Sequence, residues 1–391
     1  MNPNFALVQV KFAILLNLAF LVAFASHAGQ NIQVGPSRAV KTIAEAARLA
    51  KDSDTVEIDA GNYKGDVAVW MQNNLQVRAV GGRVRLIADG AAAESKAIWV
   101  VRAGQVVIEG FDFEGAKVPD RNGAGIRLEK GQLTVRNCSF KHNEMGLLTS
   151  NDRSAVLTVE SSEFAHNGRA DEPNHNLYVG TIASLSVTGS YFHHGVIGHL
   201  LKSRASLNFV MYNRLTDELE GRASYELEFP NGGIAYVVGN IIGQNRQTEN
   251  PALISFGLEG YKWPKNELYL VNNTLIDGMP NTGRFLRVKS GADVVKGVNN
   301  VLVGRTRLEA AGVGEFSNNF NVSMDEFEPD FSQPFRLKAS SKLLARSIDP
   351  GEANKQNLTP TRQYVHRLDT AALGSAVLHP GAVQQIGSRR P

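Results

Sequence analysis

Apolar and polar residues alternate along this chain in short runs, and the runs recur. Leu185–Phe192 (LSVTGSYF) serves as the template: alternation, then a small or Asn/Gly pair, then a large apolar residue. LTVRNCSF from Leu133 and LTVESSEF from Leu157 repeat it closely. Looser copies begin at Val106, Leu207, Ala235, Leu268 and Val295, so successive starts lie 22 to 33 residues apart. Period-2 segments at that spacing, with no long helical pattern between most of them, predict stacked coils of short parallel strands. They exclude a doubly wound α/β sheet, which needs a crossover helix between strands. The fold class predicted is therefore all-β, a parallel β-helix whose neighbouring coils bury one continuous apolar column.

A second strand in each coil carries the unusual polar residues. Aligning Gly125–Gly131 with Gly198–Arg204, and placing Asn176–Thr181 and Ser224–Pro230 beside them, predicts a common alternation. It points Ile126, Leu177, His199 and Tyr225 inward and Arg127, Tyr178, Leu200 and Glu226 outward. The next outward row is Glu129, Gly180, Lys202 and Glu228, with Arg204 at its edge. At a strand spacing of about 4.8 Å, Lys202 and Glu228 become neighbours on one exposed face, with Tyr178 one coil away.

The N-terminus reads as a targeting segment. Lys11 precedes the apolar run Phe12–Ala25, and small residues flank His27, which predicts a signal peptide of residues 1–28 and an exported protein, periplasmic or extracellular. The run is short for a membrane span, and no other stretch is long enough; retention as an uncleaved anchor is the alternative. In Val40–Ala50, residues Ile43, Ala46, Ala47 and Ala50 share one helical face, so a short amphipathic helix is predicted to cover the first coil. The β-helix is expected over residues 29–351 and an irregular tail over 352–391.

The run TIAEAARLAKDSDTVEIDAGNYKG (Thr42–Gly65) resembles the N-terminal cap and first strand of right-handed parallel β-helix proteins of the pectate-lyase superfamily. VNNTL (Val271–Leu275) and VNNVL (Val298–Leu302) are similar to the Asn-bearing turns of the same superfamily. Asparagine suits such turns physically, since it tolerates the left-handed conformation and can bond along the stack. The resemblance covers roughly residues 32–351 and implies the fold. It passes on no named activity. The acidic series with Arg-x-Pro-x-x-Arg of pectate lyases, the polygalacturonase set and the Asp-Pro-His of alginate epimerases are all missing, and fold does not fix function.

Composition narrows the partners. The 391 residues are 43% hydrophobic and 20% charged, with a net charge of +3 and no Lys/Arg run, which gives no nucleic-acid signal. A polysaccharide, acidic in character, is the expected partner. Cys138 is the one cysteine, so no intrachain disulfide forms, and its place beside inward Phe140 predicts an inert buried thiol.

The candidate chemistry centres on residues 174–231. A polysaccharide lyase must neutralise a uronate carboxylate and remove the proton beside it. Lys202 is the candidate base or clamp, Arg204 the clamp and Tyr178 the proton donor. Asn174, His175, Asn176, His194, Arg222, Glu226, Glu228, Asn231, Tyr261 and Trp263 are candidate substrate-binding residues. Glu226 and Glu228, about 7 Å apart on one strand, would alternatively form a hydrolytic pair. A non-catalytic polysaccharide-binding or export-scaffold protein is the third reading. His193 and His194 have no Asp or Cys at ligand spacing, so no metal is expected there. No cofactor is demanded, although a Ca²⁺ between outward carboxylates and a uronate would be compatible.

Overall fold

The computed structural model describes residues 29–281, 283–330, 332–374 and 378–384. The signal segment proposed for residues 1–28 lies outside them. The chain winds as a parallel β-helix with three strand ladders. Among the described residues the front ladder has nine strands, from Ala68–Trp70 to Arg284–Val288. The first back ladder runs from Gln105–Glu109 to Val294–Val298 and beyond. The second runs from Phe111–Glu114 to Val301–Val303 and beyond. The long strands Thr55–Lys64 and Leu75–Ile87 pass through both back ladders and join them into one sheet.

The repeat sets the register directly. Leu133, Leu157 and Leu185 face one another on successive coils, and Val106 precedes them on the same rung. Behind them Phe113, Phe140, Phe164 and Phe192 form a column of stacked rings, with centroids 5.0, 4.6 and 4.7 Å apart. Each ring is fully buried, and stacking of this kind adds to the hydrophobic gain of burial. Cys138 lies beside this column, and burial pushes its thiol up to about 12.

One coil departs from the pattern. Leu185 pairs with Asn208, not with Leu207, so the copy starting at Leu207 is shifted by one residue. Asn208 is fully buried in the apolar position. It is tolerated because its amide donates to the Ala205 carbonyl at 3.0 Å and its oxygen accepts from the Ser203 hydroxyl at 2.5 Å.

Both properties expected of the Asn-bearing turns are present. Asn272 and Asn299 adopt φ of 51° and 58°. Their neighbours Asn273 and Asn300 belong to a buried ladder, Asn213–Asn240–Asn273–Asn300–Asn319. In it each side-chain oxygen accepts the backbone N–H of the preceding rung at 2.9 Å.

At the N-terminal side the helix spans Ile43–Leu49. Thr42 caps it, and Ile43, Ala46 and Ala47 are buried. Asp66 accepts the N–H groups of Ile43 and Ala44 at 2.7 and 2.9 Å, which ties the first turn to the coil below. The segment after Gly351 is more regular than its composition suggests. Two small hairpins, Glu352–Asn357 and Arg362–Ala372, fold back along the helix. Tyr236 and Tyr212 hold them, the first donating to the Ala353 carbonyl at 3.2 Å and the second accepting from the Thr361 N–H at 3.1 Å.

Candidate functional site

The outward row of the front ladder holds the site. Strand pairing aligns Arg127, Leu148, Tyr178, Lys202, Glu228, Ser255 and Arg287 on one line of successive coils. Lys202 and Glu228 are neighbours, as the alternation predicts, but Tyr178 and Arg127 share their row, two residues from the expected register, which put Gly180 and Glu129 there and Tyr178 beside Leu200.

Two carboxylates enclose the Lys202 ammonium. Glu228 Oε2 lies 2.9 Å from Nζ and Glu259 Oε1 lies 2.9 Å from it. Glu259 continues to Arg204 Nη1 at 2.7 Å, so one loop carboxylate bridges both cations. Arg204 also donates from Nε to the Tyr178 hydroxyl at 2.9 Å and from Nη1 to the Asn231 side-chain oxygen Oδ1 at 2.5 Å. Glu228 has a second neighbour on the same oxygen, His199, whose Nε2 lies 2.8 Å from Oε2. Ser255 donates to Oε1 at 3.2 Å.

These contacts set the electrostatics. Burial alone would raise the Glu228 acid, but His199 and then Lys202 overcome it and hold the carboxyl at about 2. Burial lowers His199, opposed in part by Glu228, and lowers His175 well below the usual imidazole range, with His199 and Lys202 adding repulsion. His175 is therefore neutral, and its ring stacks on Tyr178 at 5.4 Å with planes 10° apart. The site is a mutually neutralised pair of cations and pair of carboxylates beside an oriented phenol, with Glu228 and Lys202 buried and Glu259 on the open side.

No protein-family model and no curated protein matches the sequence. Among solved structures, the chain is similar to pectate lyase Pel9A, with a TM-score of 0.57 at 14% identity, covering 92% of this chain and 97% of that one. That likeness shows the fold, a parallel β-helix of the kind the sequence resembles. A Geobacillus virus E2 ORF18 structure aligns at a TM-score of 0.47 and 15% identity, over 70% of this chain and 53% of the other. A PL6 family polysaccharide lyase from Pseudopedobacter saltans aligns at 0.37 and 13%, over 78% and 95%. The last two carry no argument, and the first speaks to the fold alone.

Within this β-helix, several residues stand elsewhere than the alternation predicts. His199 and Tyr225 do not point inward. They form a row with His175 on the outer side of the ladder, His199 tilted against His175 at 4.6 Å and edge-on to Tyr225 at 5.2 Å, with His199 bonded to outward Glu228. Leu200 and Glu226 do not point outward. Both are fully buried, and no hydrogen bond reaches either carboxylate oxygen of Glu226. The strands here are only Leu201–Ser203 and Leu227–Phe229, and a corner precedes them. Leu200 and Leu201 are consecutive core residues across that corner, so parity is lost where the alternation assumes one continuous strand. Burial, with Asp217 and Asp277 nearby, pushes the Glu226 acid well above its usual range. A neutral acid facing the core cannot pair with outward Glu228 across a substrate, so the geometry withdraws the hydrolytic pair.

The other predicted binding residues divide. Asn231 belongs to the site. Its amide also donates to the Gly260 carbonyl at 3.0 Å, which pins the loop carrying Glu259. Asn176 is buried, accepting from Asn167 and donating to the His193 carbonyl at 3.0 Å, so it serves the stack and faces no ligand. Buried Asn174 donates to the Arg121 carbonyl at 2.7 Å. Exposed Arg222 pairs with Glu249 at 3.1 Å. Tyr261 donates to the Lys289 carbonyl at 2.6 Å and Trp263 to the Arg204 carbonyl at 3.1 Å, so both rings close the loop over the coil. His194 sits at a corner of the second back ladder, away from the front row. Sequence reading missed Glu259, which reaches Lys202 from 57 residues away, and took His199 for a core residue.

Proposed function

We propose that the protein is an exported, carbohydrate-active β-helix that holds an acidic polysaccharide along the front ladder and cleaves it by β-elimination. One observation carries the reading: Glu259 bridges Lys202 and Arg204 at 2.9 and 2.7 Å. A uronate carboxylate has the same chemistry as that side chain. Glu259 is 43% exposed on a loop, so a substrate carboxylate can take its place between the two cations. There the cations would stabilise the charge that develops when the proton beside the carboxylate leaves. Lys202 lies between two carboxylates, which favours the clamp over the base among its two expected roles. Tyr178, oriented by Arg204 and His175, then serves both proton transfers: its phenolate oxygen takes the proton beside the carboxylate and returns it to the glycosidic oxygen as the C–O bond breaks. Export rests on the N-terminal segment. Among the described residues no helix is long and apolar enough to cross a membrane.

A second reading has its own support. The cations are already neutralised by Glu228 and Glu259, which suits a non-catalytic polysaccharide-binding protein. The test is incubation of the mature protein with a panel of uronate polymers, following the ultraviolet absorbance of an unsaturated uronate. A rising signal that survives in Lys202→Arg and vanishes in Arg204→Ala and Tyr178→Phe supports elimination with Lys202 in the clamp. Loss in Lys202→Arg alone would make Lys202 the base. Polymer binding with no absorbance and no new reducing ends would sink the lyase and leave the binding protein.

A further inference from the structure

A second cluster of titratable groups lies on the second back ladder. His142, His166 and His194 follow strand residues that share one rung, Lys141, Ala165 and His193. All three adopt left-handed backbone conformations, with φ of 57°, 55° and 46°. The coil repeat thus stacks them at one corner, and the His166 N–H donates to the His194 carbonyl at 3.1 Å. His193, the last residue of its strand, brings a fourth imidazole beside them. Ligand nitrogens of His166, His193 and His194 all lie within 4.8 Å of one another.

The arrangement is more specific than a ring stack. His193 Nε2 lies 2.9 Å from Glu163 Oε1, so Nε2 carries the proton and Nδ1 presents its lone pair. That lone pair faces His194 Nδ1 at 2.5 Å, shorter than an ordinary hydrogen bond between nitrogens. A tetrahedral ion with bonds of about 2.0–2.1 Å would hold two such nitrogens a little over 3 Å apart, a small opening of the pair. Glu163 then plays the part of the outer carboxylate that orients a metal-bound imidazole. His142 stacks on His166 with centroids 5.2 Å apart and planes 11° apart, fixing that ring from the other side.

The surrounding charges select the kind of ion. Glu163 also pairs with Lys141 at 2.9 Å and with Arg367, so its charge is already met. Arg214 and Glu218 form a further pair nearby, at 2.5 Å. A hard cation such as Ca²⁺ takes six to eight oxygen ligands, and the Glu163 carboxylate is already engaged, whereas three converging imidazole nitrogens suit borderline ions.

We infer that His166, His193 and His194 form a binding site for one divalent transition ion of the Zn²⁺ class, held by three imidazoles from two adjacent coils with a further position open to water. Such an ion would brace the two coils at a corner remote from Lys202.

The experiment is calorimetric titration of the untagged full chain with Zn²⁺ and, separately, with Ca²⁺, read alongside the thermal midpoint. The expected result is one Zn²⁺ per chain, a midpoint that rises with Zn²⁺ concentration, and no heat with Ca²⁺. His166 is exposed, so His166→Ala should fold normally and lose binding. His194→Ala should lose it too. His142→Ala, which removes only a stacking partner, should keep it. Absence of Zn²⁺ binding by the wild type, or binding that persists undiminished in His166→Ala, overturns the site and leaves a stack of neutral histidines.

Discussion

Replacing Glu228 with glutamine should cost stability in a way that depends on pH. The side chain is only 5% exposed and lies 2.8 Å from His199 Nε2 and 2.9 Å from Lys202 Nζ. Its carboxyl falls from an ordinary 4.5 to about 2 in the folded protein. A folded value below the unfolded one stabilises the fold above the unfolded value, and that gain is lost as pH falls through the folded value. At ~1.36 kcal/mol per pH unit, the gap corresponds to about 3 kcal/mol at neutral pH. The glutamine variant keeps the shape and loses the charge, so it should be about 3 kcal/mol less stable at neutral pH. By about pH 3 much of the wild-type advantage is titrated away, and the difference should shrink to about 1 kcal/mol. Urea unfolding of both proteins at a series of pH values, followed by circular dichroism, measures this difference. A difference that is absent at neutral pH, or that stays constant down to about pH 3, would refute the reasoning.

Other outcomes follow from the same structure. Glu226→Leu should stabilise the protein by about 2 kcal/mol at neutral pH, because the adjacent coils carry Leu200 and Leu253 on the same rung and the buried acid has no hydrogen bond. The Glu226 acid is raised, so this gain should fade as pH drops through the ordinary glutamate range, which denaturation midpoints can follow. Asn240→Ala should cost about 2–3 kcal/mol, since it strands the Asn213 N–H that the Asn240 oxygen accepts at 2.9 Å; a loss within experimental error in urea unfolding would contradict that. Glu259→Gln should tighten binding of uronate oligomers at low salt by removing the internal competitor for Lys202 and Arg204, with the gain shrinking as salt rises; calorimetry showing weaker binding would argue that the loop carboxylate is part of the site and no stand-in.

The sequence by itself determined the solenoid. Alternation along LTVRNCSF, LTVESSEF and LSVTGSYF is a local property, and repeating it at coil length leaves stacking as the way to bury every apolar face. The turn asparagines were legible for the same reason, because the left-handed backbone and the rung-to-rung bond both need that side chain. So was the pairing of Lys202 with Glu228 on neighbouring coils, whereas the register that sets Tyr178 directly beside Lys202 was two residues from the one read along the chain. What the tertiary structure decided lies where regularity stops. At the corner before Leu201 two consecutive leucines turn inward, which reverses the parity of His199, Tyr225 and Glu226 and moves a proposed catalytic acid into the core. Glu259 and the C-terminal hairpins land where long-range packing puts them, and no local pattern encodes a contact across 57 residues. His166 and His194 look unrelated along the chain. They meet because one turn of the helix separates them, and only the stack turns that interval into a distance of a few ångströms.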